Sequence, residues 1–353
     1  MLELTMLPAN EGDALILRYG DSESPHQILI DCGRTATYQK LLDHVPIDRR
    51  HFELLVVSHV DRDHIEGTLE ILRDAGNGFR FDDIWFNAYR HLVWEDDALE
   101  QFSAKQGEAL TRMIEQRGLP WNKAFGGGPV RLDDGKPVKR KLPGGLVITL
   151  LSPDAKKLAK LAPKWEAECR RAGLTPGGDP NAGDPDWKAG LESFGGPLDA
   201  LANSSTDRDG AAPNGSSIAF LAEYEGKTIL LGADAHPDLL VASLDQTGRP
   251  LPLACDLVKL PHHGSQGNVT KALLSKLACD RYFVSTSGQQ FNHPDDVAIA
   301  RVITADGPRP RTLYFNYAKP KTKGWDQDID AKSRYKYTCI YPEHDDAPVT
   351  LSL

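Results

Sequence analysis

Between positions 59 and 64 the chain carries His59, Asp61, Asp63 and His64, in the stretch SHVDRDH. Imidazole nitrogens and carboxylate oxygens are borderline-to-hard ligands, suited to Zn²⁺, Mn²⁺ or iron. At this spacing one ion could take His59 and Asp61 while a second takes Asp63 and His64. The stretch follows the continuous apolar run of FELLVV and precedes IEGTLEILRDAG, whose apolar residues recur at helical spacing before a glycine stop. A buried strand that runs into a helix places such side chains at the edge of a sheet, in the crevice where ligands of layered α/β proteins bind. The competing reading is a surface turn in which Asp63 only caps the following helix.

SHVDRDHIEG resembles the H-x-H-x-D-H signature of the metallo-β-lactamase superfamily, with Asp61 at the position of the second His. That variant resembles the branch that contains the hydrolase domain of DNA-uptake competence proteins (ComEC/Rec2-like). EGDALIL at 11–17, ILIDCG at 28–33, NGSSIAF at 214–220, ILLGADA at 229–235, LVKLPHHGS at 257–265 and VSTSGQQFNHP at 284–294 are similar to further motifs of that branch, in the same order. Together they cover residues 1–75 and 214–300.

The resemblance implies an α/β fold, a four-layer αββα sandwich of the metallo-β-lactamase type. It implies a single domain over 1–353 with an insertion at about 76–213. It also implies a site holding one or two divalent ions, Zn or Mn. Asp31 organises the first loop. The metal ligands are His59, Asp61, Asp63, His64, Asp234 and His263. One carboxylate with two oxygens, that of Asp234, can bridge two ions about 3.5–4 Å apart; its competing role is to cap the helix begun by AHPDLL. Catalytic roles fall to Asp63, to His262 as a neighbour that meets a substrate oxygen or orients a ligand, and to His293 as a proton donor to the leaving group. Of His262 and His263, His263 is the favoured ligand.

Most members of the superfamily supply another His before the bridging Asp. Here His91 is the only His between His64 and His236. Asn214 and Ser217 stand where that His usually stands, as possible substrate or metal contacts. With Asp61 also replacing a His, the first ion has an oxygen-rich set, which shifts preference from Zn²⁺ toward Mn²⁺ or Mg²⁺.

The implied activity is metal-dependent hydrolysis by a metal-activated hydroxide, of a small-molecule or nucleic-acid phosphodiester: a phosphodiesterase or nuclease. A hydrolase of a lactam, lactone or thioester is the alternative, and a non-catalytic binding module that keeps the fold is a second. G-x-S-x-G, a P-loop and a dinucleotide fingerprint are all absent from the sequence.

The elements that must position these residues read as short units. LELTML, DALILRYG and HQILIDCG read as strands and TATYQKLLDHV as a helix, with DDIWFNAY a further strand. Residues 97–117 read as an amphipathic helix, and FGGGP and KLPGG as the flanks of a hairpin. DAKKLAKLAPKWEAECRRAG reads as a helix interrupted at Pro163. The Gly-, Pro- and Asp-rich run that follows reads as a long loop. SSIAFLAEYEGKTILLGAD reads as a hairpin turning at YEGK. HPDLLVASL, NVTKALLSKLA and PDDVAIARVIT read as helices, CDLVKL and RYFVSTS as strands.

With 353 residues, 40% of them apolar, the chain can bury a sizeable core. Its net charge of −9 argues against a non-specific nucleic-acid coat. The basic stretches KPVKRK at 136–141 and from Arg309 to Lys323 read as solvated surface. Five scattered cysteines suit buried thiols in a reducing compartment. Without a basic leader or an apolar run near the ~20 residues of a membrane helix, the expectation is a cytoplasmic protein with no membrane contact. Trp85, Trp94, Trp121, Trp165 and Trp187 read as local core rather than as platforms for stacking bases.

Overall fold

The computed structural model describes residues 1–92, 104–171, 174, 198–345 and 347–353. Two sheets carry the architecture. The first has six strands: β1 (Leu2–Met6), β2 (Leu15–Gly20), β3 (Pro25–Ile30), β4 (Leu54–Val56), β5 (Ile84–Trp85) and, from the far end of the chain, β14 (Val349–Ser352). Their order is β14-β1-β2-β3-β4-β5. The second has eight: β6 (Val138–Lys141), β7 (Val147–Ser152), β8 (Ala219–Tyr224), β9 (Lys227–Leu231), β10 (Leu257–Lys259), β11 (Arg281–Val284), β12 (Arg311–Phe315) and β13 (Tyr337–Ile340), ordered β13-β12-β11-β10-β9-β8-β7-β6.

The layers follow from which side of each strand is apolar. Side chains alternate faces along a strand. Ile28, Ile30, Leu54, Val56, Ile229, Leu231 and Leu257 pack into one core between the two sheets, with Trp85, Phe220 and Phe283. Their neighbours Leu29 and Leu55 face the opposite way, onto Ile65, Leu69, Leu110 and Trp165. Leu230 and Val258 likewise turn outward, onto Leu240, Ile299 and Val302. Strands β4 and β10 read as unbroken apolar runs because both of their faces are covered. The helices on the first sheet are α1 (Thr37–His44), α2 (Arg62–Arg73), α3 (Ala104–Gln116) and α4 (Ala155–Arg171); those on the second include α5 (Pro237–Asp245) and α6 (Asp296–Thr304). The result is a four-layer αββα sandwich, as the sequence resemblance implies.

Parallel pairing decides where the loops gather. Strands β3, β4 and β5 run parallel in the first sheet, as do β9, β10, β11, β12 and β13 in the second. The C-terminal ends of parallel strands lie on one edge, so Asp31, His59, Asp234, His262 and His293 all leave the sheets from such ends.

Several local expectations change. The β6–β7 hairpin turns on KLPGG itself, through Leu142–Leu146, instead of lying between FGGGP and KLPGG. Helix α4 continues through Pro163. A mid-helix proline costs about 3 kcal/mol, and the burial of Leu158, Leu161, Ala162, Trp165 and Cys169 on one face opposes that cost. NVTKALLSKLA yields only a short helix, Lys271–Leu274. Residues 97–103 of the expected 97–117 helix lie outside the described residues. So does most of the long Gly- and Asp-rich run.

The stretch 76–213 is built into both sheets, contributing β5, β6 and β7 together with α3 and α4. Gly107 of α3 lets Trp165 of α4 pass, since a methyl group there would lie 2.3 Å from the indole. Trp85, Trp121 and Trp165 are buried core residues whose indoles donate to Asp83, Phe86 O and Glu108; Trp94 and Trp187 lie outside the described residues. Four of the five free cysteines are buried, and Cys339 is half-buried. On the basic stretches Lys139 and Lys141 face solvent, whereas Arg311 is fully buried. Among the described residues, no helix is long and apolar enough to cross a membrane.

Candidate metal centre

The loop after β4 is fixed from below by Asp31. Its Oδ1 accepts the Ser58 amide at 2.7 Å, and its Oδ2 accepts Ser58 Oγ at 2.7 Å and His64 Nδ1 at 2.8 Å. Asp31 is therefore an organiser of this loop. Helix α2 begins at Arg62 with Asp61 at the N-cap position, yet no side chain caps it. The Asp61 carboxylate instead faces His59, with Oδ2 at 3.5 Å from Nε2. Asp63 stands in the first helical turn, its Oδ2 at 3.7 Å from His263 Nε2 and 4.0 Å from His64 Nε2. The plain capping explanation of this motif does not hold.

The second sheet brings the remaining groups. Asp234 follows β9, and its Oδ2 lies 3.5 Å from His64 Nε2, 3.6 Å from His263 Nε2, 3.7 Å from His262 Nε2 and 3.8 Å from His59 Nε2. Helix α5 is headed by His236, so Asp234 is not its cap. After β10, His262, His263 and Gly264 all take left-handed backbone conformations, with φ of 48°, 54° and 85°. A non-glycine residue there costs of order 1–3 kcal/mol and persists only where its surroundings over-determine it. The consequence is that two consecutive imidazoles turn toward one carboxylate.

These donors fit a cation. His64 Nδ1 donates to Asp31 and His263 Nδ1 donates to the carbonyl of Ser285 at 2.9 Å, so both Nε2 atoms are left to face the cluster. The two Nε2 atoms face each other at 3.3 Å in a buried site, where a proton or a cation between them would satisfy both. His59 Nε2 and Asp234 Oδ1 are buried with no hydrogen-bond partner at all. Two donors each ~2.0–2.2 Å from one ion stand roughly 3–4 Å apart, the range of the separations above. His59, His64 and Asp234 form one group able to hold an ion, and Asp63, His64 and His263 another.

The imidazoles and carboxylates are strongly coupled, and without a cation the cluster draws protons in its place. Burial pushes the Asp234 carboxyl up, and His263, His262 and His64 more than offset it, holding it well below the usual carboxylate range. Burial pushes His64 down, and Asp234, Asp63 and Asp31 more than offset that, raising it well above an ordinary imidazole. His262 is raised to about 9 by Asp234 and Asp209 against the same burial.

His293 sits on the rim, its ring centroid 5.3 Å from that of His262 and its Nδ1 3.3 Å from Asp295 Oδ1. Asn214 does not reach the carboxylate cluster through its amide nitrogen: that group donates to Asp209 Oδ2 at 2.8 Å, behind His262. Ser217 is buried with Oγ unpartnered, one residue before Ile218, whose amide bonds Ser58 O.

Sequence reasoning missed the supporting carboxylates. Asp13, in EGDALIL, accepts Lys259 Nζ in a fully buried ion pair and lies 3.5 Å from His263 Nδ1. Lys259 inside the apolar run LVKL was the available signal, because a buried ammonium requires a partner. Asp209 carries no such signal.

The layer order, with histidines and aspartates converging at one strand edge, is the metallo-β-lactamase type of α/β fold. No family model matches the chain, and no curated protein does. Among solved structures it is similar to Zn²⁺-bound PqqB from Methylobacterium extorquens, at 10% identity and a TM-score of 0.44, over 99% of this chain and 100% of that one. It is also similar to a long form of RNase Z from yeast, at 10% identity and a TM-score of 0.37, over 100% of this chain but 47% of that one; this chain spans about half of the RNase Z length.

Proposed function

We propose that this chain is a metal-dependent hydrolase of phosphodiesters, a phosphodiesterase or nuclease related to the competence-protein hydrolases. The observation that carries the reading is the pair of Nε2 atoms of His64 and His263, 3.3 Å apart and both within 3.6 Å of Asp234 Oδ2. One ion would be held by His59, Asp61 and Asp234. A second would be held by Asp63, His64, His263 and the same Asp234. Divalent ions held there supply Lewis acidity and lower the pKa of water from ~16 toward ~7.

The chain's own groups do the rest. Asp31 fixes the His64 tautomer, and the Ser285 carbonyl fixes that of His263. Asp63 orients the attacking water. Asp295 engages Nδ1 of His293 and orients its ring, so that in the imidazolium form Nε2–H would face the departing oxygen and could protonate it. A phosphodiester suits the centre because in-line displacement develops charge on both the attacking and the leaving oxygen.

The test is hydrolysis of bis-p-nitrophenyl phosphate and of single-stranded DNA with Mn²⁺, run beside nitrocefin and a lactone panel. Turnover of the phosphodiesters alone is expected. Turnover of only the carbonyl substrates would move the assignment to a lactam or lactone hydrolase. A folded, ion-loaded chain inert on all of them would make it a binding module.

A further inference from the structure

Of the two ions proposed above, the one between His59, Asp61 and Asp234 has a single nitrogen donor. His91 does not supply another: it packs edge-on against Trp121 in the core beneath the first sheet. We propose that His262 is the second nitrogen ligand of this ion, and that Asp209, delivered by the returning end of the long segment between the two halves, is its positioning residue. The inference rests on the metal-centre reading and adds to it a ligand and a support that replace the absent family His.

The aim of the His262 ring carries the case. Its Nδ1 faces Asn268 Oδ1 at 2.9 Å and Asp209 Oδ2 at 3.3 Å, with the Asn214 amide nitrogen at 3.4 Å. With Nδ1 turned to this support, Nε2 points at Asp234 Oδ2, 3.7 Å away. That separation matches those of His59, His64 and His263 from the same oxygen. Four imidazole Nε2 atoms thus stand 3.5–3.8 Å from one carboxylate oxygen, the arrangement that ions sharing that carboxylate would order. The left-handed backbone of both His262 and His263 is what lets adjacent residues aim at one point.

Asp209 is held as a support should be. Its Oδ2 accepts Asn214 Nδ2 at 2.8 Å and Asn268 Nδ2 at 3.0 Å, and its Oδ1 accepts the Ala211 amide at 2.9 Å. Its side chain is 9% exposed. A carboxylate behind a ligating imidazole fixes ring orientation and raises ligand basicity, and losing it costs 10–100-fold in metal affinity. The Asn of NGSSIAF thus serves the centre at one remove, by fixing Asp209.

Chelator-stripped full-length protein titrated with MnCl₂ by calorimetry, with elemental analysis after desalting, tests this. The wild type is expected to bind two ions in two classes. His262→Gln should lose one class and keep the other. Asp209→Asn should weaken that same class 10–100-fold and leave the other unchanged. His263→Gln should strike the opposite class. Two ions bound by His262→Gln at wild-type affinity would overturn the proposal. So would an Asp209→Asn variant whose two classes are untouched or weakened alike. Circular dichroism checks folding, and if His262→Gln is unfolded the Asp209→Asn titration decides. A wild type that binds no divalent ion would overturn the hydrolase reading itself, a result no variant-specific change can mimic.

Discussion

A methyl group on Gly12 would lie 1.8 Å from the carbonyl oxygen of Asp63, so the backbone carrying this carboxylate is seated on a residue with no side chain. Gly12→Ala is expected to displace the first turn of α2, to cost ~1–3 kcal/mol by overpacking, and to weaken Mn²⁺ binding; urea unfolding and metal titration read the two effects. Asp63→Asn makes the complementary test. The amide keeps the shape and removes the charge, so hydrolysis should vanish while the melting curve of the metal-free protein stays close to wild type. The buried pair of Asp13 and Lys259 behaves differently again. Lys259→Met strands a carboxylate in the interior and should cost ~3–5 kcal/mol, whereas Asp13→Leu combined with Lys259→Met should recover most of it. At this scale, legibility depended on sequence distance. His59 to His64 announce themselves because ligand types crowd into one turn. Asp13 and Lys259 lie 246 positions apart, and only the folded sheets bring them together.

Elements set the direction in which those residues point. Strands β3, β4, β9, β10 and β11 were legible as apolar runs ending in chemistry, because burial on both faces leaves no polar alternation to confuse them. The pairing of β14 with β1 was not, since nothing in VTLS says which edge it will join. Helix α4 was misread at Pro163 because the cost of a proline is local, while the burial that opposes it depends on partners far away in sequence. The turn Tyr89–His91 gives an element-level prediction. His91 is 4% exposed, its Nδ1 accepts the Ala88 amide at 3.1 Å, and burial, with Arg90 beside it, pushes its pKa down to about 4. The unfolded chain, with an imidazole near 6.5, binds this proton first. Stability from this residue is therefore complete above pH 6.5 and is lost as pH falls toward 4. The loss should be ~3 kcal/mol. Chemical denaturation from pH 7 to pH 4 should show this slope in the wild type and a shallower one in His91→Gln; equal slopes would refute the assignment.

On the scale of the whole molecule, the centre lies between the two sheets. His59, Asp61, Asp63 and His64 come from the strand and helix of the first sheet. Asp234, His262 and His263 come from the second. The order of motifs made the sandwich legible, because each motif ends a strand and the parallel strands share an edge. The intervening stretch was read as an insertion, and its share in both sheets was hidden because β5, β6 and β7 are short and flanked by loops. Ions bound across the interface would act as cross-links between the halves. Any ligand that binds only the folded state stabilises it, by ~2.7 kcal/mol when its free concentration is a hundredfold above Kd. Treatment with a chelator should therefore lower Tm by roughly 5 °C, and excess Mn²⁺ should restore it. The same treatment should do much less to Asp234→Asn, in which the carboxylate reached by all four imidazoles has lost its charge. A wild-type Tm indifferent to chelator would mean that the halves are held by their apolar core alone, and that the convergent histidines and aspartates hold no ion in the folded protein.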